Sequence, residues 1–95
     1  MAAVRAVYRG PLTYAATFLE WKNINWWDCL DCIGIDAYFP VAQSPSAPEA
    51  EIRAGWEKVL DEIEPVAARW RKGVCFLELG YTTWNLTGKE PWSYT

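Results

Sequence analysis

The 95-residue sequence contains no histidine, the residue that most often serves as a general base or as a metal ligand. Any catalysis would therefore rest on carboxylates, tyrosine, lysine or cysteine, and the 12 aspartates and glutamates are the abundant choice among these. Cysteine is also scarce. Because there are three, at least one has no partner within the chain, which argues against a disulfide framework and leaves the cellular compartment undetermined.

Long apolar runs and basic patches are missing as well. No stretch approaches the roughly 20 apolar residues that span a bilayer, and residues 1–5 lack the apolar core of a signal peptide. The basic residues are spread along the chain, and the net charge is −3. We therefore expect neither a membrane nor a nucleic acid as a partner, while the oligomeric state and the localisation stay open.

Aromatic residues, by contrast, are abundant. Seven tryptophans and five tyrosines stand in a chain that is 52% hydrophobic and 22% charged, a composition typical of a globular protein. Flat amphipathic rings of this kind pack in cores and also grip ligands, for instance by stacking on sugar rings.

Strand-like and helix-like segments alternate along the chain. Residues 11–16 are typical of a short strand, whereas residues 32–39 and 74–81 are apolar runs that predict strands buried on both faces. Residues 18–30 suit a packed helical connection of a turn or two. The order of strand, helix and strand predicts a parallel sheet built from βαβ units.

A long helix is predicted between the second and third strands. Ser46 and Glu49 have the spacing of a capping box at its start, Pro65 should kink or split it, and Gly73 should cap its end. One apolar stripe recurs at three- and four-residue spacing and predicts the face that packs on the rest of the protein: Ile52, Trp56, Val59, Leu60, Ile63, Ala67 and Trp70.

Two lone carboxylates lie near the carboxyl ends of the apolar strands. Strict alternation places Glu78 on the face of Val74 and Phe76, and Asp36 on the face of Tyr38. In a (β/α) barrel the active site is built at this end of the strands. A structural ion pair is as good an interpretation of Glu78, and a buried, hydrogen-bonded side chain is the commoner role for an aspartate such as Asp36.

The remaining tryptophans allow more than one role. Trp56 and Trp70 belong to the helix stripe, so core packing is the favoured interpretation. Trp84 and Trp92 follow the last strand, where a ligand platform and a loop anchor are equally good interpretations.

A redox or zinc module is a further alternative. Cys29 and Cys32 have C-x-x-C spacing, but the sequence offers neither a second pair nor a histidine to complete four zinc ligands.

Several segments together resemble glycoside hydrolase family 113, the β-mannanases of a retaining (β/α)8 clan. The resemblance covers nearly the whole chain and rests on Gly-Pro-Leu-Thr-Tyr-Ala-Ala at 10–16, Trp-Asp-x-Leu-Asp-x-Ile-Gly-Ile-Asp-Ala-Tyr-Phe-Pro at 27–40, Gly-Trp at 55–56, Leu-Glu-Leu-Gly-Tyr at 77–81 and Pro-Trp at 91–92. It implies that residues 1–95 are one partial (β/α)8 TIM-barrel domain, comprising about strands five to seven with their helices and incomplete at both ends.

The resemblance also implies a chemistry. Glu78 matches the nucleophile of a retaining endo-β-mannanase, which hydrolyses β-linked polysaccharide without a cofactor or a bound metal. In this clan the acid/base residue follows an asparagine at the end of the fourth strand, which this chain lacks, so we expect the isolated chain to be inactive. The residues expected to bind substrate are Asp36, Tyr38, Tyr81, Trp84 and Trp92.

A second hypothesis is that the chain binds a sugar ligand but does not catalyse a reaction. The chain would then be a non-catalytic carbohydrate-binding or pseudoenzyme fragment, with Tyr38, Trp84 and Trp92 as its platforms.

Overall fold

The computed structural model of the protein describes residues 2–43, 45–81 and 87–92. From residue 15 onward, strands and helical segments alternate as the sequence predicts, and they follow a short helix that the sequence analysis does not predict. In chain order the elements are helix α1 (Ala2–Val7), strand β1 (Ala15–Thr17), two short 3-10 turns (Trp21–Asn23 and Trp27–Cys29), strand β2 (Ile33–Asp36), helix α2 (Glu49–Trp70) and strand β3 (Val74–Glu78). In the described part of the chain, no helix has the length and apolar character needed to cross a membrane.

The three strands form a parallel sheet in the order β1-β2-β3, which confirms the predicted βαβ arrangement. The central strand β2 pairs on both sides, and its Ile33 and Ile35 side chains are fully buried. Strand β1 is shorter than predicted and begins only at Ala15. The residues before it bond instead to the segment that precedes β2: Asp31 accepts from the Leu12 N–H at 2.6 Å.

Strand β3 is more exposed than predicted. Cys75, Leu77 and Glu78 are exposed, while Val74 and Phe76 are half-buried, so the prediction of a strand buried on both faces is wrong. The physical reason is its position in the sheet. Among the described residues β3 has a paired strand on one side only, so one of its edges meets no neighbour.

The start of α2 differs from the predicted capping box. Pro48 occupies the N-cap position, and no side-chain hydrogen bond caps the helix. Ser46 lies two residues earlier with a left-handed φ of 54°, so its hydroxyl is not at the position from which a capping serine acts. Glu49 pairs instead with Arg53 at 2.6 Å, one helical turn further along.

The middle and end of α2 also correct two predictions. The helix is not split at Pro65, because it runs without a break from Glu49 to Trp70, and Pro65 is exposed. At the carboxyl end the left-handed residue is Arg71, with φ 55°, and not Gly73. The N–H groups of Arg71 and Lys72 reach carbonyls of the last turn at 3.3 and 3.2 Å, which completes the cap.

The core lies between α2 and the sheet. Helix α2 buries Val59 and Ile63, and four half-buried residues pack beside them: Ile52, Trp56, Val66 and Trp70. The predicted stripe and the core role of its two tryptophans are thus confirmed. Two stripe residues are exceptions: Leu60 is 47% exposed, and Ala67 is not among the residues that pack against the core.

Candidate active site

The carboxyl ends of β2 and β3 bring Asp36 and Glu78 together. Ile35 pairs with Phe76, but Asp36 pairs with Glu78, so Leu77 is an extra residue in β3. This is a β-bulge, which interrupts the strict alternation that places Glu78 with Val74 and Phe76. As a result the glutamate, and not Leu77, is the register partner of the aspartate.

Glu78 is held by residues that follow β2. The Tyr38 hydroxyl donates a hydrogen bond to Glu78 Oε1 at 3.0 Å, and the Ala37 N–H donates to the Glu78 main-chain oxygen at 2.7 Å. A carboxylate that accepts a hydroxyl hydrogen bond is held in one orientation. Three of the predicted site residues, Asp36, Tyr38 and Glu78, therefore meet at the carboxyl edge of the sheet.

The Asp36 carboxyl group is partly withdrawn from solvent. Its Oδ1 atom is buried and has no hydrogen-bond partner among the described atoms. Burial raises the pKa of Asp36, and the side-chain hydrogen bond with Glu78 and the negative charges of Glu78 and Glu20 raise it further. Asp36 therefore keeps its proton to higher pH than an ordinary aspartate.

Glu20 adds a third carboxylate, which the sequence interpretation does not include. Its Oε1 atom accepts hydrogen bonds from the Tyr14 hydroxyl at 3.1 Å and from the Thr17 N–H at 3.3 Å. The bond to Glu20, together with its negative charge, raises the pKa of Tyr14. The position of Glu20, shortly after β1, could have pointed to a role at the carboxyl edge of the sheet. The mixed apolar spacing of residues 18–30 instead favours a simple connection between strands.

Tyr81 lies three residues beyond β3. Its hydroxyl donates to the Phe39 carbonyl at 3.3 Å, and its ring meets that of Trp56 edge-on, with centroids 6.3 Å apart. Burial raises the pKa of Tyr81 to about 12. The phenol therefore stays protonated at neutral pH and is able to donate a hydrogen bond.

Trp92 stacks on Phe18, with ring centroids 5.5 Å apart and an angle of 19° between the planes. Its side chain is 47% exposed, although Pro91 beside it is fully buried. A fixed, half-open indole has the form of a platform for a sugar ring. The predicted role of Trp84 lies outside the described residues.

The described cavities do not coincide with the carboxylates. One, of about 380 Å³, lies between α2 and the segments around residues 41–47 and 87–88, and its wall includes Ile52, Trp56 and Tyr81. A groove of about 450 Å³ runs beside α2 and includes Phe18 and Phe39. Each is lined by two aromatic residues and by neither Asp36 nor Glu78, and Glu78 stands on the exposed edge of the sheet.

The three cysteines are all free thiols, and Cys29 Sγ donates to the Trp26 carbonyl at 3.0 Å. Across residues 2–43, 45–81 and 87–92, no three or more His, Cys, Asp or Glu side chains are grouped so as to hold a metal ion.

Comparison with models of protein families identifies a relationship that covers the chain. The model of Glycoside Hydrolase Family 113 matches residues 1–95, the whole chain. No curated protein and no solved structure matches it significantly. The match agrees with the resemblance carried by the strand-end motifs, and a family of glycoside hydrolases acts on carbohydrate. With its entire length covered by that one family, the chain belongs to Glycoside Hydrolase Family 113.

Proposed function

We propose that this chain carries the nucleophile half of a retaining endo-β-mannanase site, with Glu78 as the nucleophile. The observation that carries the proposal is the hydrogen bond from the Tyr38 hydroxyl to Glu78 Oε1 at 3.0 Å. It holds an exposed carboxylate in one orientation at the carboxyl edge of a parallel sheet, where (β/α) barrels build their active sites.

The proposed reaction follows the two-step scheme of retaining glycosidases. A Glu78 carboxylate oxygen attacks the anomeric carbon, and the bond to the leaving oxygen breaks as the new carbon–oxygen bond forms. The leaving oxygen keeps the electron pair and takes a proton from a second carboxylic acid, about 5 Å from the nucleophile in such enzymes. Water, deprotonated by that second carboxyl group, then cleaves the glycosyl ester and releases Glu78.

Asp36 is not the second carboxylic acid of this scheme. It is the register partner of Glu78 on the neighbouring strand, so it does not stand across a sugar ring from Glu78. The resemblance to the retaining clan assigns the acid/base role to the end of a fourth barrel strand. We propose that the acid/base residue lies outside these 95 residues and that the 95-residue chain alone does not hydrolyse mannan.

The fold supports the same proposal. Strands β1, β2 and β3 are adjacent in chain order, parallel, and joined between β2 and β3 by a long helix. This is the local arrangement of a (β/α)8 barrel. We infer that the three strands correspond to the fifth, sixth and seventh of eight, which makes residues 1–95 one partial domain.

The substrate would be a β-linked mannan-type polysaccharide. Asp36 and Tyr38 lie next to Glu78, where they would meet the hydroxyls of the sugar under attack. Tyr81 and Trp92 supply aromatic surface, and we extend this role to Trp84 on the resemblance alone. Trp92 is the best supported, because its stacked ring is half-exposed.

Covalent labelling with a fluorosugar tests whether Glu78 is the nucleophile, and it does not require the acid/base residue. In 2-deoxy-2-fluoro-β-mannosyl fluoride the leaving group departs as fluoride, so no proton donor is required. We expect mass spectrometry of the labelled 95-residue chain to find the fluorosugar on the peptide that contains Glu78. The Glu78→Gln variant should not be labelled, and the exposed helix variant Glu57→Gln should be labelled as in the unsubstituted chain. No label, or a label on another residue, would exclude Glu78 as the nucleophile.

A reducing-sugar assay on mannan tests the inactivity. The purified chain should release no sugar. Release that disappears in Glu78→Gln would show a complete catalytic site within the 95 residues and overturn this part of the proposal.

The half-exposed Trp92 also favours a second candidate, a non-catalytic carbohydrate-binding fragment. Calorimetric titration with a mannooligosaccharide separates the two. Binding that survives Glu78→Ala but not Trp92→Ala, in a chain that the fluorosugar does not label, supports the binding fragment.

A further inference from the structure

We propose that Asp36 is a positioning residue that, as a neutral carboxylic acid, donates a hydrogen bond to Glu78 and so keeps the single negative charge of the pair on Glu78. Its catalytic meaning rests on the proposed role of Glu78 as nucleophile. The pairing itself is a property of the folded chain and is testable without any substrate.

The first support is the geometry of the sheet. The bulge at Leu77 makes Asp36 and Glu78 register partners on adjacent strands, at the last residue of each. The main-chain bond from the Ala37 N–H to the Glu78 carbonyl, at 2.7 Å, holds the strand ends together beyond the ladder. Because the strands fix this proximity, the two side chains cannot separate freely to relieve repulsion between two negative charges.

The second support is the asymmetry of the two carboxyl groups. Glu78 is exposed and accepts a hydrogen bond from the Tyr38 hydroxyl. Asp36 is less exposed, and its Oδ1 atom is buried with no hydrogen-bond donor among the described residues. Two adjacent carboxyl groups share one proton, and the proton goes to the group whose charge is less well solvated.

The surrounding charges act in the same direction. The titratable groups that raise the pKa of Asp36 are Glu78 on β3 and Glu20 after β1, both negative when ionised. Asp36 in turn contributes to the raised pKa of Tyr14, which lies before β1. Tyr38, two residues beyond Asp36, donates its hydroxyl to Glu78. Each negative charge disfavours ionisation of Asp36, which agrees with the upward direction of its pKa.

A nucleophile has to be ionised and oriented before substrate arrives. In this arrangement Glu78 would accept two hydrogen bonds, one from the Tyr38 hydroxyl and one from the protonated Asp36. When Asp36 loses its proton at higher pH, its hydrogen bond to Glu78 would be replaced by repulsion between two carboxylates. Asp36 would thus set the upper pH limit at which Glu78 is held in position.

Carbon-13 NMR of the carboxyl groups tests the assignment in the intact 95-residue chain. With aspartate and glutamate carboxyls labelled, we expect Asp36 to titrate above the ordinary aspartate range. The Glu78 signal should show two steps, one at its own ionisation and one when Asp36 ionises. In Asp36→Asn, which keeps a neutral side chain of the same size, the second step of Glu78 should vanish.

Two outcomes would overturn the proposal. In the first, the shared proton resides on Glu78, so that the titration midpoint of Glu78 is elevated and that of Asp36 is ordinary. The other is independent, single-step titration of both groups. If Asp36→Asn does not fold, the Glu78→Gln variant gives the same test, because the midpoint of Asp36 should then move to lower pH.

This experiment is independent of the fluorosugar labelling. A coupled pair in a chain that is not labelled at Glu78 would leave the proton assignment standing and remove the catalytic role. Labelling at Glu78 without coupled titration would support the catalytic role of Glu78 and exclude the proposed role of Asp36.

Discussion

Gly55 of α2 packs directly against the main chain of Val41, so closely that a β-carbon at position 55 would lie 2.7 Å from the Val41 carbonyl carbon and closer still to its oxygen. The segment after β2 therefore crosses the helix at the one place where a side chain is missing. This contact limits how closely α2 approaches the segment after β2, because the Val41 main chain is not a flexible side chain that is able to move aside.

Gly55→Ala should destabilise the protein. Alanine favours a helix over glycine by roughly 1 kcal/mol, but the collision with Val41 should cost about 1–3 kcal/mol and outweigh this gain. Urea unfolding followed by circular dichroism measures the difference. Gly73→Ala is the control, since a β-carbon at that position would meet no atom within 4 Å, and it should change stability little. Equal stability of both variants would contradict the tight contact.

Asp36→Asn should stabilise the protein at neutral pH but not in acid. The pKa of Asp36 is raised in the folded protein above the value of 3.8 for a free side chain. The stability it contributes is therefore complete below pH 3.8 and is lost as the pH rises through the folded-state pKa. Asparagine cannot ionise, so the Tm of the variant should exceed that of the unsubstituted protein near pH 7 and lose this advantage near pH 3.

Thermal unfolding across that pH range gives the measurement. Asp61→Asn, an exposed substitution on α2, is the control and should show no such crossover. A Tm advantage for Asp36→Asn that persists at pH 3 would contradict the assigned cause.

Asp31→Asn should have the opposite pH dependence. The N–H of Leu12 and then the guanidinium of Arg5, at 2.6 and 3.0 Å from Asp31 Oδ2, hold the pKa of Asp31 below 3.8. This stabilisation is present above pH 3.8 and is lost as the pH falls through the folded-state value. The variant should have a lower Tm at pH 7, and the deficit should shrink on acidification.

The exposed Asp28→Asn substitution is the matched control for Asp31→Asn, and its Tm should follow that of the unsubstituted protein at each pH. A deficit of Asp31→Asn that is unchanged in acid would show that the lost interaction does not involve the ionised carboxylate.

Pro65→Ala should stabilise α2. Proline inside a helix removes one hydrogen bond and crowds the preceding turn, at a cost of about 3 kcal/mol, which is partly offset because proline also stiffens the unfolded chain. Pro65 is exposed, so its replacement by alanine should remove little buried surface. We expect a net gain of roughly 1–2 kcal/mol in urea unfolding. The neighbouring exposed Glu64→Ala should stay within about 0.5 kcal/mol, and a loss in Pro65→Ala would mean that the ring has a packing role.

The helix termini show why parts of the fold are not predictable from the sequence. A capping box and a terminal glycine are frequent local patterns, but a cap requires particular backbone angles. Here Ser46 and Arg71 adopt the left-handed conformation, so the helix begins and ends at other residues than the motifs indicate. These backbone angles are properties of the folded chain, and the residue types of the motif do not fix them.

Glu20 escapes prediction for a related reason. The ladder with β2 carries β1 on to Thr17, beyond the predicted end, which brings Glu20 close to the end of a strand. Strand ends are set by pairing with a neighbour, and pairing is not visible in a three-residue segment. Asp36 and Glu78 are identifiable because each is a lone charge in a long apolar run.

By itself, the sequence determined the alternation of strands and helix, the apolar face of α2 and the family, because these depend on residue periodicity and on motifs that are local in the chain. Only the tertiary structure decided that Asp36 and Glu78 are partners. A single extra residue, Leu77, shifts the register between two strands that are far apart in sequence. Such a shift is selected by packing across the sheet, which leaves no periodic signal in either strand.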